Sequence, residues 1–172
     1  RMMIKVAIIG GTGVYDPNLL EESKEVKVHT PYGAPSDLIT IGKFKGVDVT
    51  VISRHGNKHT INPSIVNYRA NIFALKQLGV THILTPTAVG SLNEKFKPGD
   101  LVFVDQYINR TYRRIPTFYD GQQVCHISNA DPFCKSLNNI LSESAKKLGI
   151  SYHNKGTVVV MEGPAFSTRA ES

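Results

Sequence analysis

The feature that most constrains the fold is a short apolar run near the N-terminus. Residues 5–9 are Lys-Val-Ala-Ile-Ile, and the pair Gly10-Gly11 follows directly. Successive side chains of a strand point to opposite faces of its sheet, so a continuous apolar run needs cover on both faces. The run therefore predicts an inner strand that ends in a glycine-rich turn.

Strand and helix patterns alternate along the rest of the chain. β-rich runs at 37–44 and 47–53 flank Lys45-Gly46, which predicts a hairpin. Further strands are predicted at 81–87, 101–105 and 157–161. The alternation predicts an α/β fold in a single domain over residues 1–172, with a central mixed β-sheet flanked by helices.

Two helices are predicted from their boundaries and from the spacing of their apolar residues. The first begins at Asn62-Pro63 and ends at Gly79, and the second begins at Asp131-Pro132 and ends at Gly149. A polar cap before proline typically starts a helix, and glycine ends one. The predicted buried stripes are Ile65, Tyr68, Ile72 and Leu75 in the first helix, and Phe133, Leu137, Ile140, Leu141, Ala145 and Leu148 in the second.

Composition and charge indicate a globular protein. Apolar residues make up 41% of the chain, and no apolar run approaches the roughly 18 residues of a membrane span. The two cysteines and the absence of a signal peptide favour a reducing compartment, so we expect a cytoplasmic protein without a membrane partner. The net charge is +6, and its densest basic run is Arg110 to Arg114. That run fits a solvated turn, or a contact with nucleic acid or a phosphorylated substrate.

Groups suited to phosphate follow three of the predicted strands. The turn at 10–13 has glycines that let backbone amides approach an anion, and its Thr12 adds a hydroxyl. This turn matches neither the dinucleotide fingerprint nor a P-loop. Arg54 supplies a guanidinium fork for phosphate oxygens beside the imidazole of His55, and the segment 87–91 supplies small residues and hydroxyls. Ligands of α/β sheets gather beyond the carboxyl ends of strands, where all three segments are expected.

A fourth strand end carries a different mixture of groups. The segment 162–171 combines acids, hydroxyls and a basic residue with the ring of Phe166, which suits a small polar ligand that contains a ring. Each of the four segments also has an ordinary structural explanation: a tight turn, a solvated loop, a strand exit, or a core position for Phe166. Cys125, His126 and Cys134 lack the spacing of zinc ligands, so we expect no metal and no organic cofactor.

Taken in order, these segments resemble the purine nucleoside phosphorylase family, and the resemblance runs from about Lys5 to Ser172. It is strongest to the branch of that family that acts on 5′-methylthioadenosine. The segments that carry it are Ile9-Gly10-Gly11-Thr12-Gly13, Arg54-His55-Gly56 with His59, Asn67-Tyr68-Arg69-Ala70-Asn71-Ile72, Ala88-Val89-Gly90-Ser91, Phe118-Tyr119-Asp120-Gly121 and 162–172.

The resemblance implies a nucleoside phosphorylase-like fold and a pentosyltransferase activity. Inorganic phosphate, as co-substrate, would convert 5′-methylthioadenosine into adenine and 5-methylthioribose 1-phosphate, a purine and methionine salvage reaction. The alternatives left open are phosphorolysis of inosine, guanosine or methylthioinosine, and an inactive fragment that binds nucleoside or phosphate. A nucleic-acid partner for the basic run is the remotest of them.

The resemblance also implies site residues and a homo-oligomer, either a trimer or a hexamer. Arg54 and His55 are the catalytic candidates, and His126 resembles a residue that one subunit lends to its neighbour's ribose pocket. The expected phosphate ligands are Thr12, Arg54, His55, Thr87 and the amide of Ala88, and the expected nucleoside contacts are Val89, Gly90, Phe166, Ser167 and His126.

Ser167 bears on the choice of purine. Relatives that cleave 6-oxopurines carry glutamate directly after this phenylalanine, and a carboxylate can accept the N1–H of such a base. Adenine instead presents a bare N1 acceptor, to which a serine hydroxyl can donate directly or through water. Ser167 therefore favours a 6-aminopurine substrate.

The resemblance implies further residues beyond Ser172. Family members continue with a segment that supplies a Met-Thr pair for ribose and phosphate, and an aspartate that assists the purine at N7. We therefore expect that the C-terminal portion is missing from these 172 residues, or that another chain supplies it. General acid help typically contributes about 10²–10⁴-fold in rate, so this chain alone is expected to have low activity and to expose apolar surface.

Overall fold

The computed structural model describes residues 3–11 and 16–172. The chain divides into two compact units. The N-terminal unit comprises Arg1–Ala88 and Ile115–Phe118, and the C-terminal unit comprises Val89–Arg114 and Tyr119–Ser172. None of the helices among the described residues has the length and apolar character needed to cross a membrane.

The N-terminal unit is built on a five-stranded mixed sheet. The elements are β1 (Lys5–Gly10), a 3₁₀ turn (Pro17–Leu19), β2 (Glu21–Val26), β3 (Ile39–Phe44), β4 (Val47–Ser53), a 3₁₀ turn (Pro63–Ile65), α1 (Tyr68–Gln77) and β5 (His82–Leu84). The strand order is β2-β3-β4-β1-β5. Strand β1 pairs in parallel with β4 on one side and with β5 on the other, while β3 pairs antiparallel with both β2 and β4.

The predicted α/β class, inner strand and hairpin are confirmed. Strand β1 lies between two partners, and Phe44 pairs with Val47 across the hairpin turn. Apolar clusters cover both faces of the sheet, because successive residues of β1 and β4 alternate between them. One cluster contains Ala7, Ile9, Ile39, Ile52, Ala74 and Leu75, and the other contains Leu20, Val49 and Val51, with Ile8 packed against it.

Helix α1 begins five residues later than predicted, with Asn67 rather than Asn62 at its N-cap. Asn62 caps only the short 3₁₀ turn, where its Oδ1 accepts from Ser64 N at 3.0 Å. Asn67 then caps α1 through Oδ1, which accepts from Ala70 N at 3.0 Å. Because two caps act in succession, Ile65 falls in the 3₁₀ turn rather than in α1. The predicted stripe is wrong at Ile65 and at Ile72, which are 65% and 37% exposed. The buried residues of α1 are Ala70, Asn71, Ala74 and Leu75.

The C-terminal unit has less regular structure. The elements are β6 (Leu101–Val102), β7 (Gln106–Arg110), α2 (Lys135–Lys147), β8 (Tyr152–His153) and β9 (Thr157–Met161). Two two-stranded parallel sheets pair β6 with β8 and β7 with β9. The exposed strand β7 has no apolar alternation and was not predicted, since it is defined by its pairing with β9. The predicted strands 81–87 and 101–105 are shorter in the structure.

Helix α2 also begins later than predicted, with Cys134 rather than Asp131 at its N-cap. Its buried residues are Ser142 and Ala145. The predicted stripe is wrong at Ile140 and Leu148, which are 61% and 72% exposed. At about 100° per residue, Ile140 points away from Ser142, so this apolar residue lies on the solvent side of the helix.

Candidate functional site

Three neighbouring parallel strands end at one edge of the N-terminal sheet. Gly10 at the end of β1 pairs with Ser53 at the end of β4, and Ile8 of β1 pairs with Leu84 at the end of β5. The segments that leave these strands therefore start from the same edge, as the parallel pairing requires. Those segments contain Gly11, Arg54, His55, Thr87 and Ala88.

Arg54 is attached closely to the end of β1. Its backbone N–H donates to Gly10 O at 2.9 Å. Its Nη2 lies 3.2 Å from the position that a Cβ on Gly11 would occupy. The missing side chain of Gly11 thus leaves room for the Arg54 guanidinium. Thr12 and residues 13–15 lie outside the described residues.

The imidazole of His55 is oriented by its own loop. Nδ1 lies 2.9 Å from Ile61 O, and because a carbonyl oxygen only accepts, Nδ1 must carry the donated proton. In the neutral ring Nε2 is then an acceptor, and Arg54 Nε donates to it at 3.4 Å. The His59 ring packs against His55 with centroids 4.9 Å apart.

Backbone contacts hold the loop after β4 in a compact form. The amides of Thr60 and Ile61 both donate to His55 O at 3.1 Å. Asn57 N donates to Asp37 Oδ2 at 2.6 Å, which attaches the loop to the segment before β3. The sequence did not predict the supporting roles of Asp37 and Ile61. Asp37 was predicted only as the start of a strand, and the contact of Ile61 is made by its backbone carbonyl, which no sequence pattern indicates.

Thr87 and Ala88 lie three and four residues beyond β5, and both are exposed. The same edge of the sheet therefore carries Arg54, His55, Thr87 and Ala88. Arg54 and His55 are in direct contact with each other and are only partly exposed. A guanidinium fork beside an imidazole can bind the oxygens of a small anion.

The C-terminal unit carries the residues predicted to contact a nucleoside. Phe166 is 97% exposed, so the alternative of a core position for this ring is wrong. Ser167 Oγ lies 2.7 Å from Ser172 Oγ. Val89, Gly90 and His126 are also exposed in this unit. An exposed ring beside a hydroxyl can stack on a planar ligand while the hydroxyl donates or accepts one hydrogen bond.

A reciprocal pair of hydrogen bonds follows Ser167. Thr168 N donates to Glu171 Oε2 at 2.8 Å, and Glu171 N donates to Thr168 Oγ1 at 3.2 Å. This is the arrangement of a capping box, which fixes the backbone over four residues. The backbone directly after Phe166 and Ser167 is thereby restrained.

Residues 3–11 and 16–172 contain no group of three or more His, Cys, Asp or Glu side chains placed to hold a metal ion. Cys125 and Cys134 are both exposed free thiols.

The sequence matches the model of a known family over nearly its whole length. Residues 5–172 match the family described as the phosphorylase superfamily. The chain belongs to the phosphorylase superfamily. Its 54% identity to the S-methyl-5'-thioadenosine phosphorylase of Thermofilum pendens covers 98% of this chain and 64% of that protein. Its 53% identity to the S-methyl-5'-thioadenosine phosphorylase of Danio rerio covers 98% of this chain and 62% of that protein.

Solved structures of this superfamily have the same fold. The apo form of methylthioadenosine phosphorylase from Schistosoma mansoni is similar with a TM-score of 0.91 and 41% sequence identity, covering 98% of this chain and 67% of that one. The predicted nucleoside phosphorylase-like fold is thereby confirmed. The chain spans less than two thirds of the length of the Thermofilum and Danio relatives.

Proposed function

We propose that the whole protein catalyses the phosphorolysis of 5′-methylthioadenosine, producing adenine and 5-methylthioribose 1-phosphate. The observation that carries the proposal is 54% identity, over 98% of this chain, to a relative named S-methyl-5'-thioadenosine phosphorylase. The arrangement of Arg54 and His55 at the carboxyl edge of the sheet supports it, because the reaction needs an anion held in a fixed position.

Catalysis in this proposal is mainly electrostatic. Loss of the purine leaves a sugar with oxocarbenium character, and a phosphate anion below the ring both stabilises that charge and captures it. Arg54 would bind two phosphate oxygens through its fork, and Thr12, Thr87 and the amide of Ala88 would complete the anion site. Groups that are oriented before the reaction lower its barrier because they need little rearrangement.

The hydrogen bond of His55 to Ile61 O limits what its other nitrogen can do. With the Nδ1 proton donated to that carbonyl at 2.9 Å, Nε2 of a neutral ring accepts from Arg54 Nε at 3.4 Å. A phosphate monoanion that displaces this contact can donate its P–OH proton to Nε2 instead. Only the imidazolium can donate from Nε2 to a phosphate dianion. His55 is therefore proposed to bind phosphate together with one proton, carried either by the ring or by the anion.

The purine would lie against the exposed ring of Phe166, with Val89 and Gly90 beside it. Ser167 can accept a hydrogen bond from Ser172, 2.7 Å away, and still donate its own proton to N1 of adenine. His126 would serve the ribose pocket of a neighbouring subunit in a homo-oligomer, a trimer or hexamer. The exposed thiols of Cys125 and Cys134 fit a reducing cytoplasmic compartment.

The test is phosphate-dependent release of free base from the whole protein, with 5′-methylthioadenosine, methylthioinosine and inosine compared. We expect release of adenine from 5′-methylthioadenosine with the highest kcat/KM of the three. A higher value for inosine would contradict the proposed substrate and the argument from Ser167. Binding of adenine and phosphate without turnover would support the inactive alternative instead.

Arg54→Lys tests the phosphate site directly. Lysine keeps the charge but loses the bidentate fork, so the KM for phosphate is expected to rise about tenfold or more, with little change in the KM for nucleoside. Arg113→Lys is the matched control, because Arg113 is not one of the proposed phosphate ligands. Equal effects of the two substitutions would contradict the assignment of Arg54.

A further inference from the structure

The basic run noted in the sequence lies beside the segment that carries Phe166. Strands β7 and β9 run parallel, and Arg110 at the end of β7 pairs with Met161 at the end of β9. The turn 111–114 and the segment 162–171 therefore leave the sheet formed by β7 and β9 at the same edge. None of the residues proposed above for phosphate or nucleoside lies in the turn.

The first contact between these segments is made by Glu162. Its Oε2 accepts from Tyr112 N at 2.8 Å and from Arg113 N at 3.0 Å. Two backbone amides directed at one carboxylate oxygen form charge-assisted hydrogen bonds, which are stronger than bonds between neutral groups. This contact holds the start of the Phe166 segment against the basic turn.

The second contact involves the other end of the segment. Arg110 Nη2 lies 3.7 Å from Glu171 Oε1, while Glu171 Oε2 accepts from Thr168 N at 2.8 Å. The Arg110 side chain is 60% exposed, so the ion pair is a weaker restraint than the Glu162 contact. Together, the two contacts connect the short stretch from Arg110 to Arg113 with both ends of the segment 162–171.

Phe166 and Ser167 lie between these two attachments. The Phe166 ring is 97% exposed, so the burial that holds most aromatic rings in place contributes almost nothing here. The position of the ring therefore depends on the backbone on either side of it, and that backbone is attached to the basic turn by Glu162 and Glu171.

We propose that the stretch from Arg110 to Arg113 is a positioning element for the base-binding segment, and that Glu162 and the Arg110–Glu171 pair set where Phe166 and Ser167 meet the purine. The inference rests on the proposed function. It assigns the basic run a role within the protein, in place of the contact with nucleic acid that its charge alone allows. Glu162 is the principal positioning residue, and Arg110 contributes less.

The test compares Glu162→Gln with Glu143→Gln, a matched change at an exposed position of α2. Glutamine keeps the shape of the side chain but replaces the charged acceptor. In Glu162→Gln we expect the KM for nucleoside to rise about tenfold, while the KM for phosphate changes less than twofold. Arg110→Gln should raise the KM for nucleoside about two- to threefold. Glu143→Gln should change neither constant.

A second measurement does not depend on turnover. In ¹H–¹⁵N spectra, Glu162→Gln should shift the amide resonances of Phe166 and Ser167 and speed hydrogen exchange at Tyr112 and Arg113, whereas Glu143→Gln should do neither. Unchanged Phe166 and Ser167 resonances would overturn the inference, as would equal rises in both KM values. If the unsubstituted protein released no adenine, the proposed function would fail, while the spectra would still decide the positioning role.

Discussion

The two units of this chain are stabilised in different ways. Among the described residues, eleven apolar residues of the N-terminal unit are buried, and nine of them form the clusters on the two faces of its sheet. In the described part of the C-terminal unit, only the side chains of Ser142 and Ala145 are buried. That unit relies more on polar contacts, such as those of Glu162 and Asp100. The phosphate candidates thus extend from a well-packed sheet, and the base candidates from a segment restrained by hydrogen bonds and charge.

The largest expected effect comes from removing a core side chain of the N-terminal unit. Ile52 is 0% exposed, and Ile52→Ala should lower the free energy of unfolding by about 2–5 kcal/mol through lost burial and a residual cavity. Ile140 of α2 is 61% exposed, and Ile140→Ala should change the free energy of unfolding by less than about 0.5 kcal/mol. Denaturant unfolding measures both, and similar losses would contradict the difference in packing.

A smaller effect is expected from two asparagines with comparable chemistry. Asn71 is 1% exposed and makes two hydrogen bonds to Ser36, from Ser36 N at 2.8 Å and to Ser36 Oγ at 2.9 Å. Asn71→Ala should lower the free energy of unfolding by about 1–3 kcal/mol, because buried polar groups lose their partner.

Asn138 of α2 provides the comparison in the C-terminal unit. It is partly exposed and donates to Val104 O at 2.9 Å, so water can replace its side chain. Asn138→Ala should lower the free energy of unfolding by no more than about 1 kcal/mol in the same denaturant experiment. A loss of stability as large as that of Asn71→Ala would show that the two polar contacts contribute equally to the free energy of unfolding.

The polar character of the C-terminal unit predicts a dependence on pH. The Ser151 hydroxyl, then His153 and the Lys97 amide, donate to the Asp100 carboxylate and lower its pKa to about 2. Since the pKa is lower in the folded state, this stabilisation is present above about pH 4 and is lost as the pH falls through about 2. Asp100→Asn should therefore destabilise the protein at pH 6, and by less at pH 3.

Unfolding curves at the two pH values measure this dependence. Ser151→Ala removes the largest contribution to the lowered pKa of Asp100. It should therefore reduce the pH-dependent part of the free energy of unfolding while the carboxylate remains. A loss of stability in Asp100→Asn that was equal at pH 6 and pH 3 would indicate a packing effect and would contradict the electrostatic origin.

The smallest effect concerns the two exposed thiols of the C-terminal unit. A hydrogen bond from the Ser136 hydroxyl, followed by one from the Leu137 amide, lowers the pKa of Cys134. Cys134 should therefore react several-fold faster with iodoacetamide at neutral pH than Cys125. Ser136→Ala should bring the two rates closer together. Peptide mapping of partially alkylated protein measures both rates, and a faster Cys125 would contradict the prediction.

Sequence reasoning was most successful where the signal is local. The apolar run of β1, the Lys45-Gly46 hairpin and the strand 157–161 all appear where they were expected. Arg54 and His55 were singled out because ligands gather beyond strand ends, and the structure brings these two side chains into contact. Propensity and spacing specify such features because they involve residues close together in the chain.

The misses have a common physical cause. The helix starts at Asn62 and Asp131 were misplaced because several residues near each start can cap a helix, and tertiary packing decides among them. Strand β7 has no pattern of its own and was missed because only its pairing with β9 defines it. Glu162 was noticed only as part of a polar segment, since its contact with Tyr112 spans fifty positions of sequence.

The sequence by itself determined the α/β class, the family resemblance and the residues proposed to bind phosphate, because these depend on local patterns and on the identity of side chains. Only the tertiary structure decided which nitrogen of His55 carries the proton of the neutral ring, that the Phe166 ring faces solvent, and that the basic turn is attached to the segment around Phe166. Each of these depends on a partner that is distant in sequence or on burial by the rest of the fold, neither of which can be obtained from the residue order alone.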